Sequence, residues 1–142
     1  MTSLTLTTRS PPPPRSAASS PRPPPTSISP IPPPRPKFDA DLLKAYMKKL
    51  MATQLHSAVW PDGKERERVK GWIKEISERI KERMLEIQPR GFKYIVLTQI
   101  NENRGQGGRA DIVCHWEDSD VLAQEMYVND SLICVCIALA IA

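Results

Sequence analysis

Acidic and aromatic side chains are both missing from the first 37 positions of this 142-residue chain. The stretch "MTSLTLTTRSPPPPRSAASSPRPPPTSISPIPPPRPK" instead holds 13 of the 15 prolines. A segment with so few core-forming side chains cannot bury enough surface to offset its ordering entropy. It is expected to be a disordered tail of polyproline II character and to take no part in the fold. Folding falls to residues 38–142, a length that can enclose one modest core.

Histidine is scarce, with His56 and His115 alone, and cysteine is limited to Cys114, Cys134 and Cys136. Cys134-x-Cys136 with Cys114 could suggest a metal. On a strand, however, adjacent Cys114 and His115 point to opposite faces and cannot easily share one ion, so buried free thiols are the simpler reading. No Ser/His/Asp or Cys/His triad and no paired carboxylates stand out, so neither catalysis nor a cofactor is expected. The longest apolar run, "LICVCIALAIA" at 132–142, is too short to cross a bilayer as a helix, so no membrane partner is expected. The N-terminus has the Ser- and Arg-rich composition of an organellar transit peptide, but its prolines defeat the amphipathic helix such signals use. It also lacks the apolar run of a secretory signal. An odd cysteine count outside a secretory context fits reduced thiols in the cytosol.

Charge divides at the same boundary. Arg9, Arg15, Arg22, Arg35 and Lys37 give the tail +5, and the remaining 15 basic residues face 16 acids in the rest. A nucleic-acid-binding domain would concentrate positive charge on its folded surface. The folded part is near −1, so no nucleic-acid partner is expected.

What is present reads as two helices followed by strands. Asp39 or Asp41 can cap a first helix in which Leu42, Leu43, Tyr46, Met47, Leu50 and Met51 recur at helical spacing, stopped by Trp60-Pro61-Asp62-Gly63. In 64–88, Val69, Trp72, Ile73, Ile76, Ile80, Met84 and Ile87 form a second stripe. Glu75 and Arg79 lie i to i+4 on its outer side. Strands follow at 92–100, 110–116, 121–128 and 132–142. The predicted fold is α+β, two helices packed on a four-stranded antiparallel sheet.

The last strand is apolar on both faces, which is unusual where one side meets water. Its large odd residues (Ile133, Val135, Ile137, Leu139, Ile141) suit a helix layer. Its small even ones (Cys134, Cys136, Ala138, Ala140) suit close approach by a partner, economically a second copy.

The run Gly105-Gln106-Gly107-Gly108 invites comparison with phosphate loops. It has no Gly-Lys-Ser/Thr, does not open a helix, and does not fit GxGxxG. The alternative is a long strand connection across 102–109, with Gly105, Gly107 and Gly108 as a hinge that lets a strand leave its own sheet.

In order, the chain shows Lys93-Tyr94 opening a strand, the glycine loop, Cys114-x-Trp116 before an acid, the turn Asn129-x-Ser131 and a cysteine-bearing final strand, with Trp72 in the second helix. This series, spread over 38–142, resembles the Tctex-type dynein light chain family, its second type more than its first. The ending "IALAIA" departs from the aromatic-plus-glycine ending of relatives. The resemblance implies a non-catalytic homodimer, or a pair with a paralogous light chain. In it Ile112, Val113, Cys114, His115 and Trp116 are exchanged between subunits. It also implies a dynein intermediate-chain peptide bound by β-augmentation along the edge carrying Leu122, Gln124, Met126 and Val128. The expected location is the cytoplasm and cytoskeleton, or a cilium or flagellar axoneme.

The alternative is a Tctex-fold adaptor outside dynein whose tail recruits a signalling protein. Pro30, Pro33 and Arg35 have the PxxPxR spacing of a ligand for a proline-recognising domain, against the simpler reading of a solvated spacer. Ser10, Ser20 and Ser29 each precede proline, the context of proline-directed kinases.

Overall fold

A computed structural model of the chain describes residues 21–22, 28–34 and 36–142. It separates into Met1–Pro32 and Pro33–Ala142, and every helix and strand described lies in the second unit. Ser10, Ser20 and Arg35 lie outside the described residues.

Helix α1 spans Ala40–Leu55. Asp39 is its cap: the carboxylate accepts from the Leu42 N–H at 3.0 Å, and Asp41 adds negative charge to the first turn. Leu43, Met47, Leu50, Met51 and Leu55 form the buried stripe, whereas Leu42 faces out. The helix ends at Leu55, five residues before Trp60. Helix α2, Glu67–Ile87, buries Val69, Ile76, Ile80 and Met84, with Trp72, Ile73 and Ile87 packed partly against them. Its outer face carries the Glu75–Arg79 pair at 3.0 Å. Glu78 and Glu86, each one turn from Glu82, are neutralised at i to i±3 by Lys81 and Arg83.

The sheet has the order β1-β3-β2, with β1 at Lys93–Glu102, β2 at Val121–Val128 and β3 at Leu132–Ile141. Both outer strands run antiparallel to β3, placing Thr98 and Glu125 on either side of Cys136. α1 packs on β2 and α2 on β1. The α+β architecture expected from the sequence is present. The fourth strand is not part of the sheet of a single chain: 110–116 lies outside it and pairs with none of its strands.

The orientation of β3 corrects the sequence reading. Its small even residues, Cys134, Cys136, Ala138 and Ala140, are buried beneath the helices, and the large odd ones face the open side. The reason is volume. β3 is the central strand, and the space above it is filled by Met47, Met51, Ile76, Ile80 and Met84 reaching down from two helices. A β-branched row there would overfill a close-packed core.

The buried thiols sit in a short polar chain. Ser77 donates to Thr98 at 2.8 Å, Cys136 donates to the same hydroxyl at 3.7 Å, and Cys134 Sγ lies 3.9 Å from Cys136 Sγ. The bond to Cys136, reinforced by burial and by the neighbouring thiol, pushes the Cys134 thiol well above its ordinary range. In the dilute single chain, a thiol reagent at neutral pH should modify exposed Cys114 at once. Cys134 and Cys136 should react only as fast as the domain opens. A second rapidly reacting thiol would mean that β3 is accessible in the native fold.

The turn between β2 and β3 fastens the two layers. Asn129 Oδ1 accepts from the N–H groups of Ser131 and Leu132, both at 2.8 Å. Its Nδ2 donates to the carbonyls of Leu55 and Ala58 at 3.2 and 3.1 Å, at and just beyond the end of α1, and the Leu55 carbonyl also accepts from the Ala58 N–H at 3.1 Å. Ser131 Oγ accepts from Trp60 N–H at 2.7 Å, and Asn103 donates to the Asn129 carbonyl at 2.9 Å.

At the N-terminal end of the domain, Phe38 is only 3% exposed and packs against Phe92 and Tyr94, with centroids 6.1 and 5.6 Å away. The Tyr94 hydroxyl donates to the Gln88 carbonyl, and burial raises its pKa. Gly91 adopts φ +94 in the turn into β1, where an added Cβ would lie 3.6 Å from Pro36.

Candidate interaction face

The open side of the sheet collects alternate residues from all three strands. β1 contributes Ile95 and Leu97, β3 contributes Ile133, Val135 and Ile137, and β2 contributes Leu122, Met126 and Val128. The register places Leu97 and Gln124 on either side of Ile137. Leu97 is 56% exposed and Met126 62%. A contiguous apolar surface across three strands is more than scattered exposed side chains require. Both β1 and β2 are edge strands, each paired on one side only.

The predicted peptide-binding row, Leu122, Gln124, Met126 and Val128, thus lies together on one edge strand. All four residues point to the open face. The predicted exchange segment is exposed throughout: Val113 is 93% exposed, Ile112 and Trp116 close to half, and Cys114 and His115 are exposed as well. It pairs with no strand of its own chain. Ile95, Leu97 and the odd residues of β3 were not singled out as interface residues. Strand β1 carries the signal that could have found them: apolar residues on both faces, as in β3.

The glycine connection resolves the phosphate question. The N–H of Asn103 is taken by the Ser131 carbonyl at 2.9 Å, that of Arg104 by Gln106 Oε1 at 2.7 Å, and that of Gly105 by Asn103 Oδ1 at 3.2 Å. Three successive donors are therefore committed internally rather than converging on an anion. Arg104 pairs with Glu102 at 2.8 Å. Gly105, at φ +72, makes the left-handed turn, and none of Gly105, Gly107 and Gly108 has anything within 4 Å of an added Cβ. Of the residues expected to form a hinge, Gly105 alone has a positive φ. Among the described residues, no group of three or more His, Cys, Asp or Glu is placed to hold a metal ion.

The Tctex-1 family model matches residues 37–141. The chain is 32% identical over 106 residues to a Danio rerio protein named dynein light chain Tctex-type protein 2B, covering 74% of this chain and 68% of that protein. The human protein of the same name is 30% identical over 102 residues, covering 71% of this chain and 66% of its own length. An uncharacterised protein of Mycosarcoma maydis is 45% identical over 76 residues, 54% of this chain and 52% of that protein. The chain therefore spans about half the length of the fungal relative and about two thirds of the vertebrate ones.

Proposed function

This chain belongs to the Tctex-1 family, and from that premise we propose that it is a non-catalytic dynein light chain that works as a dimer and binds a dynein intermediate chain. The observation that carries the reading is the pairing of an uncovered apolar sheet face with an apolar segment, 110–116, that has no partner strand in its own chain. A second copy answers both needs. Its own 110–116 supplies a strand for a free edge, and its sheet covers the open face. Vertebrate relatives named as Tctex-type dynein light chains supply the motor context, and with it a place on the cytoplasmic cytoskeleton or in an axoneme.

The intermediate-chain peptide is assigned to the free edge of β2. An added strand there gains main-chain hydrogen bonds, and Leu122, Met126 and Val128 present side chains to it for selectivity. Proline at Gln124 removes one backbone donor from this strand, a change that an edge tolerates better than a centre. Gln124→Pro should weaken binding of a dynein intermediate-chain peptide by at least about tenfold, read by titration calorimetry. Circular dichroism should be unchanged. Unaltered affinity would move the groove elsewhere. The overall reading is tested by mixing the full chain with recombinant intermediate chain on a sizing column. Separate elution at micromolar concentration would remove the dynein assignment.

A further inference from the structure

The solvent side of α1, and the cavity it leads to, belong neither to the open sheet face nor to a free strand edge. Lys44, Lys48 and Lys49 stand within about 8 Å of one another along the helix axis, Lys48 and Lys49 exposed and Lys44 half-buried. None of the three makes an ion pair among the described residues. Helix α2 differs: Lys70, Arg79, Lys81 and Arg83 each hold a glutamate one turn away. Asp41, the one acid of α1, sits in the first turn. Lys44 and Lys48 are therefore a like-charge pair at i to i+4, an arrangement that weakens a helix. Just past the helix, a cavity of about 210 Å³ lies between residues 56–59 and the β2–β3 turn, with His56, Val59 and Asp130 among its walls. Val59 is 68% exposed.

We propose that α1 and this cavity dock an extended acidic peptide of a partner protein, a contact independent of the light-chain reading. Its carboxylates meet the three lysines, and an apolar side chain enters the cavity against Val59. Charge fixes that polarity. The cavity lies at the C-terminal, negative end of the helix dipole and beside Asp130, so a carboxylate is disfavoured there. Two turns earlier it is favoured, because three cations stand uncompensated. Reach agrees. From Lys48 to His56 is about 12 Å along the axis, the span of roughly four extended residues.

A polyanion of uniform charge fits this surface less well. A nucleic-acid strand carries its charge without interruption and would have to run past Asp130. A helix face that only meets water gains from paired charges, as α2 shows, and nothing from a like-charge pair. The apolar anchor is what separates a peptide site from a merely basic one. The lysines and the anchor are therefore disturbed separately.

The full-length protein is titrated with fluorescein-labelled peptides in which a run of glutamates is joined to a leucine through about three small residues, in either direction. Anisotropy should show binding of at least one, with a dissociation constant of about 100 μM or tighter at low salt. Lys44→Glu with Lys48→Glu should weaken it at least about tenfold, and Val59→Ser at least about threefold. Serine in place of the probe's leucine should cost as much as Val59→Ser. Lys74→Glu, on α2 at a lysine that also has no ion pair among the described residues, should stay within about twofold. The proposal is overturned if neither peptide binds, if the lysine pair or Val59→Ser binds as the parent does, or if the leucine is dispensable. It is equally overturned if Lys74→Glu costs as much as the lysine pair, or if a labelled oligonucleotide binds more tightly than the peptides. Circular dichroism should be the same for every variant, because none of these side chains belongs to the core.

Discussion

Asn129→Ala should cost the domain about 3 kcal/mol and lower its melting temperature by more than 10 °C, roughly 4–8 °C per kcal/mol in a domain of this size. The magnitude follows from what the side chain holds. One amide accepts from two N–H groups inside the β2–β3 turn and donates to two carbonyls, one on the last residue of α1 and one just beyond it. Alanine removes all four bonds; the Leu55 carbonyl keeps the Ala58 N–H, while the other three groups lose their side-chain partner at a partly buried turn, the more expensive half of the loss. Asn129→Asp separates the two halves. It keeps the acceptor for the turn but loses the donor to Leu55 and Ala58, and it brings a carboxylate against their oxygens. Urea unfolding should place it well below wild type, through α1 rather than the turn. If Asn129→Ala unfolds at the wild-type midpoint, water replaces these bonds without cost and the turn is not what joins the layers.

That joint shows how far the sequence could be read. Asn129-Asp130-Ser131 was legible as a turn, because Asn and Ser bond back to their own backbone. Its second role was not, since Leu55 and Ala58 lie more than 70 residues away. The helices were legible for a related reason: Leu43, Met47, Leu50 and Ile76, Ile80, Met84 report the core through spacing alone. β3 resisted, because a strand apolar on both faces carries no internal mark of which face is inside. Residue size pointed the wrong way. Close helices need small residues opposite them, so the larger row was left outside. The segment 110–116 has the composition of a strand, yet it is unpaired within the chain. A strand needs a neighbour as well as a pattern, and one chain's sequence does not say whose neighbour it is.

Ile137→Asp should abolish dimerisation while the single chain stays folded. Ile137 lies on the central strand, flanked by Leu97 on one side and Gln124 on the other, near the middle of the open apolar face. In the single chain it is only half buried, so a carboxylate there can keep much of its water. Covered by a second copy, the same carboxylate would lose that water. A charge buried without a partner costs several kcal/mol, and every 1.4 kcal/mol is tenfold in the dissociation constant. A weakening of about a thousandfold is therefore expected. Sedimentation velocity at about 10 μM should shift from the dimer, about 32 kDa, to the 16.0 kDa chain. The control is Lys48→Asp, a charge reversal at an exposed position on α1, which should sediment as wild type. Val113→Asp, in the segment proposed to cross between subunits, should act in the same direction as Ile137→Asp. If Ile137→Asp remains a dimer, the open face is not the contact. If wild type itself sediments as a single chain, that face is covered by something other than a second copy.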